Sequence, residues 1–242
     1  MRLLRKLYIV TLIFITIGVL TGCDKSSSVI EKARAMYSLD EDMPITILDS
    51  KRKQNGEAYN TKIVKGRIGN ARRFNGRDSY IRTSLNFKGW TGLTISLWVK
   101  PESGSRNEPT IILDNGHSEK RNCALQVLPF AKGITAAKRF FVWHCPKSDA
   151  SFEVPLDNWS HVILTVDITQ QVLEVFLNGT LVSDRDVPEP FKFDGTPLYL
   201  GRWAVGEFRF FKGTIDEVLI WDKTLSQKEI ENLHEFYSTS PG

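Results

Sequence analysis

Apolar and polar residues alternate one for one through most of this chain. Leu93, Ile95, Leu97 and Val99 are interleaved with Thr94, Ser96, Trp98 and Lys100. Phe140, Val142 and His144 alternate with Phe141, Trp143 and Cys145. Val162, Leu164 and Val166 alternate with Ile163, Thr165 and Asp167, and Leu173, Val175 and Leu177 with Glu174, Phe176 and Asn178. Each run is short, rich in β-branched and aromatic residues and bounded by turn residues, which predicts strands. Asn178-Gly179 directly follows one such run and precedes Thr180-Leu181-Val182, the mark of a tight hairpin. Many short strands without intervening helices predict a sandwich or barrel. Only the ends break the pattern. Val29 to Tyr37 reads as a brief helix leading into the fold. Near the other end, Ser226 and Glu229 form a capping box, flanked by Leu225 and Ile230 at the positions of a hydrophobic staple. That combination predicts a short helix from Gln227 to about Phe236.

The first residues set the compartment. Arg2, Arg5 and Lys6 form a positive head, and a mostly apolar run follows from Leu7 to Leu20. This order is that of a secretory signal peptide. The run is short for a membrane span, which needs roughly 20 residues. It ends in Leu20-Thr21-Gly22-Cys23, which resembles the bacterial lipobox. The resemblance implies lipid on the Cys23 thiol and cleavage before it, with several acyl chains giving stable anchoring. Residues 1–22 are then a signal peptide and residues 23–36 a lipidated tether and lead-in. Residues 37–242 are the folded domain, held at the bacterial cell envelope on a periplasmic or extracellular face. Asp24 resembles the inner-membrane retention signal of enteric bacteria, and which membrane carries the anchor stays open.

Charge and cysteine content narrow the classes. The net charge of +4 includes the three cations of the discarded head, so the mature chain is close to neutral. That argues against a nucleic-acid partner, which needs a clustered basic face. The remaining length suits one domain with a sizeable core. Cys123 and Cys145 remain, and an exported protein meets an oxidising compartment. Folded as a hairpin about Ile134, their two strands bring these cysteines opposite each other. A disulfide is expected there, with two free buried thiols as the alternative.

Five blocks carry a family resemblance. They are GRIGNARRFNGRDSYIRTS (Gly66 to Ser84), LTISLWVKPES (Leu93 to Ser103), NWSHVILTVD (Asn158 to Asp167), LEVFLNGTLV (Leu173 to Val182) and FKGTIDEVLIWDKTLSQKEI (Phe211 to Ile230). In that order they resemble laminin G-like and pentraxin-like domains. The resemblance implies an all-β, concanavalin A-like jelly roll of two antiparallel sheets with a short C-terminal helix.

Fold alone does not give function. Glucan hydrolases of this architecture carry Glu-x-Asp-x-x-Glu on one strand, and Thr214-Ile215-Asp216-Glu217-Val218 lacks its first and last acids. His161 and His144 have no nucleophile near them in sequence beyond Ser160, so no enzyme is expected. Related domains often hold a structural calcium ion, which wants six to eight oxygens. Asp78 and Asp216 are the candidate ligands, with Asp40, Glu41 and Asp42 at the entry to the fold. Strand alternation places Trp98, Phe141, Trp143, Phe176 and Tyr199 on the face away from the apolar stripe, where such a row would stack on sugar rings. Packing of these rings under loops or another layer is the competing reading. Arg202 and Trp203 form a separate loop candidate. Two functions remain: an envelope module binding a glycan or a surface protein, and a structural lipoprotein using the sandwich as a scaffold.

Overall fold

The computed structural model describes residues 28–51, 53–103, 109–118, 121–128 and 138–239. The predicted signal peptide and Cys23 lie outside the described residues. Among the described residues no helix is long and apolar enough to cross a membrane.

Within these residues sixteen strands form two antiparallel sheets of eight. The first sheet runs β14 (Thr180–Asp186), β13 (Val172–Leu177), β12 (Ser160–Asp167), β7 (Gly92–Pro101), β16 (Lys212–Trp221), β5 (Asn70–Asn75) and β4 (Lys62–Lys65). β1 (Ala35–Tyr37) pairs with the end of β16 that β5 does not reach. The second sheet runs β11 (Ser148–Pro155), β10 (Lys138–Cys145), β9 (Ala124–Val127), β8 (Thr110–Asp114), β15 (Tyr199–Leu200), β6 (Tyr80–Thr83), β3 (Gly56–Tyr59) and β2 (Thr46–Ile47). This is the expected two-sheet sandwich.

The inner faces share one core. Leu93, Ile95, Leu97 and Val99 of β7 and Val162, Leu164 and Val166 of β12 meet Leu125, Phe141, Trp143, Phe152 and Leu200 of the second sheet. The expected Asn178-Gly179 turn is present. Leu177 pairs with Thr180, and φ is +49° and +79° at the two turn residues. Positive φ at both positions is the type I′ turn that asparagine and glycine favour. A Cβ on Gly179 would also stand 2.8 Å from the His234 ring, so that glycine lets the C-terminal helix approach.

That helix, α1 (Gln227–Thr239), starts where its capping box predicts. The Glu229 amide donates to the Ser226 hydroxyl at 3.3 Å, and the Ser226 amide donates to the Glu229 carboxylate at 2.8 Å. Leu225 and Ile230, the staple pair, are both buried. α1 packs on the outer face of the first sheet, where Ile230, Leu233 and Tyr237 join Trp98, Ile163, Phe176, Leu219 and Trp221 in a second cluster. The predicted helix over Val29 to Tyr37 is only partly formed. Residues 28–31 are helical, but Ala35–Tyr37 is strand β1. The free edge of β16 supplies ladder hydrogen bonds and inward slots for Ala35 and Tyr37, which outweigh a weak helix preference.

A bulge in β16 supplies the polar part of this second layer. The register shifts between Asp216 and Leu219, and Glu217 has φ +47°. The extra residue lets Ile215 and Val218 both face the core despite a spacing of three. It also leaves two adjacent carboxylates buried. Asp216 accepts from the amides of Arg67 at 2.7 Å and Ile68 at 3.2 Å, while Glu217 accepts from the Tyr237 hydroxyl at 3.0 Å. Burial pushes Asp216 up to about 7, against the pull of those amides. Burial, and then the neighbouring Asp216, push Glu217 up to about 8.

Cys123 and Cys145 form the expected disulfide, which closes a separation of 22 residues. The register of β9 with β10 places Phe141 opposite Val127 and His144 opposite Ala124, as folding about Ile134 requires. The connecting residues 129–137 lie outside the described set.

Two outcomes are expected. Replacing both cysteines by alanine should remove about 3 kcal/mol of loop-closure stabilisation and lower the melting temperature by roughly 10 °C; an unchanged melting curve would show that the bridge does not constrain the unfolded chain. The second concerns pH. Glu217 and Asp216 hold protons in the folded state that the unfolded chain releases near its ordinary carboxylate values of 4.5 and 3.8. Their contribution to stability is therefore complete below about pH 4 and is lost as pH rises through 7 and 8. Glu217→Gln keeps an acceptor for Tyr237 and cannot ionise. It should melt above the wild type at pH 8 and show a flatter decline between pH 5 and 8; parallel profiles would refute this.

Candidate functional site

The outer face of the second sheet is built by alternation. On β15, β6, β3 and β2, Leu200, Ile81, Ala58 and Ile47 turn into the core. Their neighbours must then turn outward. Register places Asp114, Tyr199, Arg82, Glu57 and Thr46 side by side across five strands, with Tyr59 opposite Tyr80 one step along. The Tyr59 and Tyr80 rings stack at 4.4 Å and 14°, and Tyr199 follows Tyr80 at 6.2 Å. Glu57 accepts the Tyr59 hydroxyl proton at 2.5 Å.

Two features adjoin this tyrosine platform. On one side a cleft of about 590 Å³ is lined by Ile45, Thr46, Gly56, Glu57, Arg82 and Pro197 among others. A Cβ at Gly56 would stand 2.7 Å from the Arg82 carbonyl oxygen, so β3 and β6 lie close beneath that cleft only with glycine there. On the other side the Arg202 guanidinium lies over both Tyr80 and Tyr199, at 4.2 and 4.7 Å from their ring centres. The following loop carries Trp203 edge-on to Phe208 at 4.8 Å, with Arg209 over the indole at 4.9 Å.

Asp114 fixes these loops. Its Oδ2 accepts from the Ala204 amide at 2.7 Å, and its Oδ1 accepts from the amides of Gly116 at 3.1 Å and His117 at 2.8 Å. Burial pushes its carboxyl up to about 6, against those amides. His117 is lowered to about 4, first by burial and then by His144. The His117 and His144 rings lie 5.6 Å apart beside a smaller cleft of about 400 Å³, and His144 Nδ1 meets Asp149 at 2.6 Å. Aromatic faces, one cross-strand Glu–Arg pair and convergent cations suit reversible recognition of a sugar chain, whose C–H faces stack while its hydroxyls bond.

The five aromatics singled out in the sequence do not share this face. Phe141 and Trp143 are 0% exposed in the inter-sheet core, and the Trp143 indole donates to the Thr165 carbonyl at 3.2 Å. The larger rings and Cys145 set the inward parity of β10, which turns Phe140 and His144 out instead. Trp98 and Phe176 do point away from the core, but α1 covers them. Only Tyr199 lies on this face, and it is 9% exposed, with Arg202 over its ring. Arg202 and Trp203, expected in a loop, lie beside it. Tyr59, Tyr80, Arg82 and Glu57 went unrecognised, although Tyr80 and Arg82 flank the apolar Ile81 in the alternation that should have marked them.

The other predicted sites also separate. Asp78 is exposed and accepts from the Asn75 side-chain amide at 2.7 Å in the turn between β5 and β6. Asp216 is buried farther along β16, where backbone amides satisfy it. The two carboxylates share no partner in the structure: the Asp78 turn sits at the Lys212 end of β16, and Asp216 lies farther along that strand. Among the described residues no group of three or more His, Cys, Asp or Glu side chains is placed to hold a metal ion. His161 does meet a serine that sequence proximity missed: Ser96 Oγ lies 2.7 Å from His161 Nε2, and His161 Nδ1 lies 3.0 Å from His234 Nδ1. Both Ser96 and His161 are 0% exposed beneath α1, and burial lowers His161 to about 3. The pair is buried between the first sheet and the helix.

Known proteins share this framework. No curated protein sequence matches the chain. Domain 4 of AbnA, a GH43 extracellular arabinanase from Geobacillus stearothermophilus, solved with arabinotriose, superposes with a TM-score of 0.62 at 23% identity, over 84% of this chain and 98% of that one. The binding domain of Paraclostridial Mosquitocidal Protein 1 gives 0.66 at 16% identity, over 88% and 54%. The ligand binding domain of Botulinum neurotoxin serotype D, solved with N-acetylneuraminic acid, gives 0.64 at 14% identity, over 88% and 52%. The chain thus spans about half the length of the two toxin domains and nearly all of the arabinanase domain. A family model described as the concanavalin A-like lectin/glucanases superfamily, Laminin_G_3, matches residues 75–231. With that match covering more than half of its length and its strands forming the expected two-sheet sandwich, the chain belongs to the concanavalin A-like lectin/glucanase superfamily, in its laminin G-like branch.

Proposed function

We propose that this protein is a non-catalytic binding module, lipid-anchored at Cys23 to the bacterial cell envelope, that holds a glycan on the outer face of its second sheet. The observation that carries this reading is the Tyr59–Tyr80–Tyr199 platform beside the cleft of about 590 Å³. Stacked rings with a polar cleft alongside offer both halves of sugar recognition, an apolar face and oriented hydrogen-bonding groups. Similarity to domains whose structures hold arabinotriose and N-acetylneuraminic acid supports a binding role. The lipobox resemblance supports the anchor, with the short serine-rich stretch after Cys23 giving the domain reach from the membrane surface.

The full-length protein in detergent micelles, screened on a glycan array with and without calcium, should retain oligosaccharides. Tyr80→Ala should weaken that binding roughly tenfold and lower the melting temperature by no more than a few degrees. Silence across the array in both conditions would reject the glycan reading in favour of a protein partner. For the anchor, cells fed radiolabelled palmitate should label the wild type and not Cys23→Ser; equal labelling of both would reject lipidation at Cys23.

A further inference from the structure

Resting on the glycan face just proposed, we infer that its ligand is an acidic sugar, seated with a carboxylate at Arg202. The Arg202 side chain is 10% exposed. Tyrosine rings lie against its guanidinium at 4.2 and 4.7 Å. Its Nε and Nη1 have no hydrogen-bond acceptor among the described residues. Glu207 approaches only to 3.6 Å and is itself 84% exposed. A guanidinium taken out of water with unmade hydrogen bonds is costly. An anionic acceptor offsets that cost more fully than a neutral hydroxyl, through charge-assisted bonds. Nε and Nη1 are closed to solvent, so a planar carboxylate, which matches that fork, reaches it as Glu207 moves aside.

The surroundings point the same way. Arg209 stands over Trp203 at 4.9 Å on one side, and Arg82 projects from β6 on the other. Glu57, Asp114 and Glu207 are the acids at the face; Glu57 is engaged by the Tyr59 hydroxyl and Asp114 by the amides of Ala204, Gly116 and His117. Glu207, on the exposed loop, acts as a weak internal stand-in for the ligand's carboxylate and swings aside when the ligand arrives.

The test uses full-length protein in micelles, titrated with array hits from neutral, uronate-bearing and sialate-bearing oligosaccharides, together with the methyl ester of the best acidic hit. The free acid should bind at least about tenfold more tightly than its methyl ester. Arg202→Gln should abolish that preference, and Arg202→Lys should restore only part of it. Glu207→Gln should tighten acidic ligands several-fold and leave neutral ones unchanged. Melting curves check that each variant is folded; if Arg202→Gln unfolds, the ester comparison and Glu207→Gln on an intact Arg202 decide. Equal binding of acid and ester, or a preference for neutral sugars, would overturn the acidic ligand while leaving the glycan face standing. Absence of binding to every class would remove the glycan face and this inference with it.

Discussion

The structure depends on burying both faces of the first sheet. β7 is buried along nearly its whole length, including Thr94, Ser96 and Trp98 on the side away from the sandwich core. That second burial exists because α1 and the residues before β1 lie across the sheet. The Thr94 hydroxyl donates to the Lys223 carbonyl at 2.8 Å and accepts from the Leu225 amide at 3.0 Å, which ties the approach to α1 onto β7. Trp221 donates to the Val29 carbonyl at 2.9 Å and holds the other end of the layer. Most polar groups trapped between are matched, Ser96 to His161, His161 to His234 and Tyr237 to Glu217, while the Trp98 indole N–H has no acceptor among the described residues. A buried network of this kind stabilises only when its members are satisfied, so it fixes one position for the helix.

Closing that face leaves the second sheet with the exposed outer face on which the proposed site lies. The outer side of β6 and β3 keeps exposed residues, Arg82, Glu57 and Tyr59, and the short strands of this sheet end in loops. Asp114 bonds to amides of two of those loops at once, so the Trp203–Phe208 wall and the His117 turn hold their places relative to the tyrosines. Arg202 lies at the junction of these loops and the tyrosines. Its flanking rings stabilise it through cation–π contact, while its Nε and Nη1 find no acceptor among the described residues.

The strands, the Asn178-Gly179 hairpin, the capped helix and the Cys123–Cys145 bridge were legible in the sequence. Each follows from local rules: alternation of period two, a turn that needs positive φ, a serine–glutamate box, and two cysteines equidistant from a loop centre. The bulge at Asp216 and Glu217 was not legible, since inserting one residue costs little locally and is selected by the need of Ile215 and Val218 to face one core. β1 was misread as helix for a similar reason. Its partner, the free end of β16, lies almost two hundred residues away.

For the site, local pattern alone determined that aromatic residues alternate on strands, and it could not say which parity faces water. Phe141 and Trp143 turned inward because the inter-sheet space took their large rings. Trp98 and Phe176 turned outward and were then covered by a helix from the far end of the chain. Tyr59, Tyr80, Tyr199 and Arg202 lie up to 143 residues apart, from 59 to 202, and became one platform only through the β3–β6–β15 register. The sequence by itself determined the class of fold, the elements and the covalent bridge, because those rest on neighbours a few residues away. Tertiary structure alone decided which face stays open and which charges are left unmatched, because both depend on what distant elements cover.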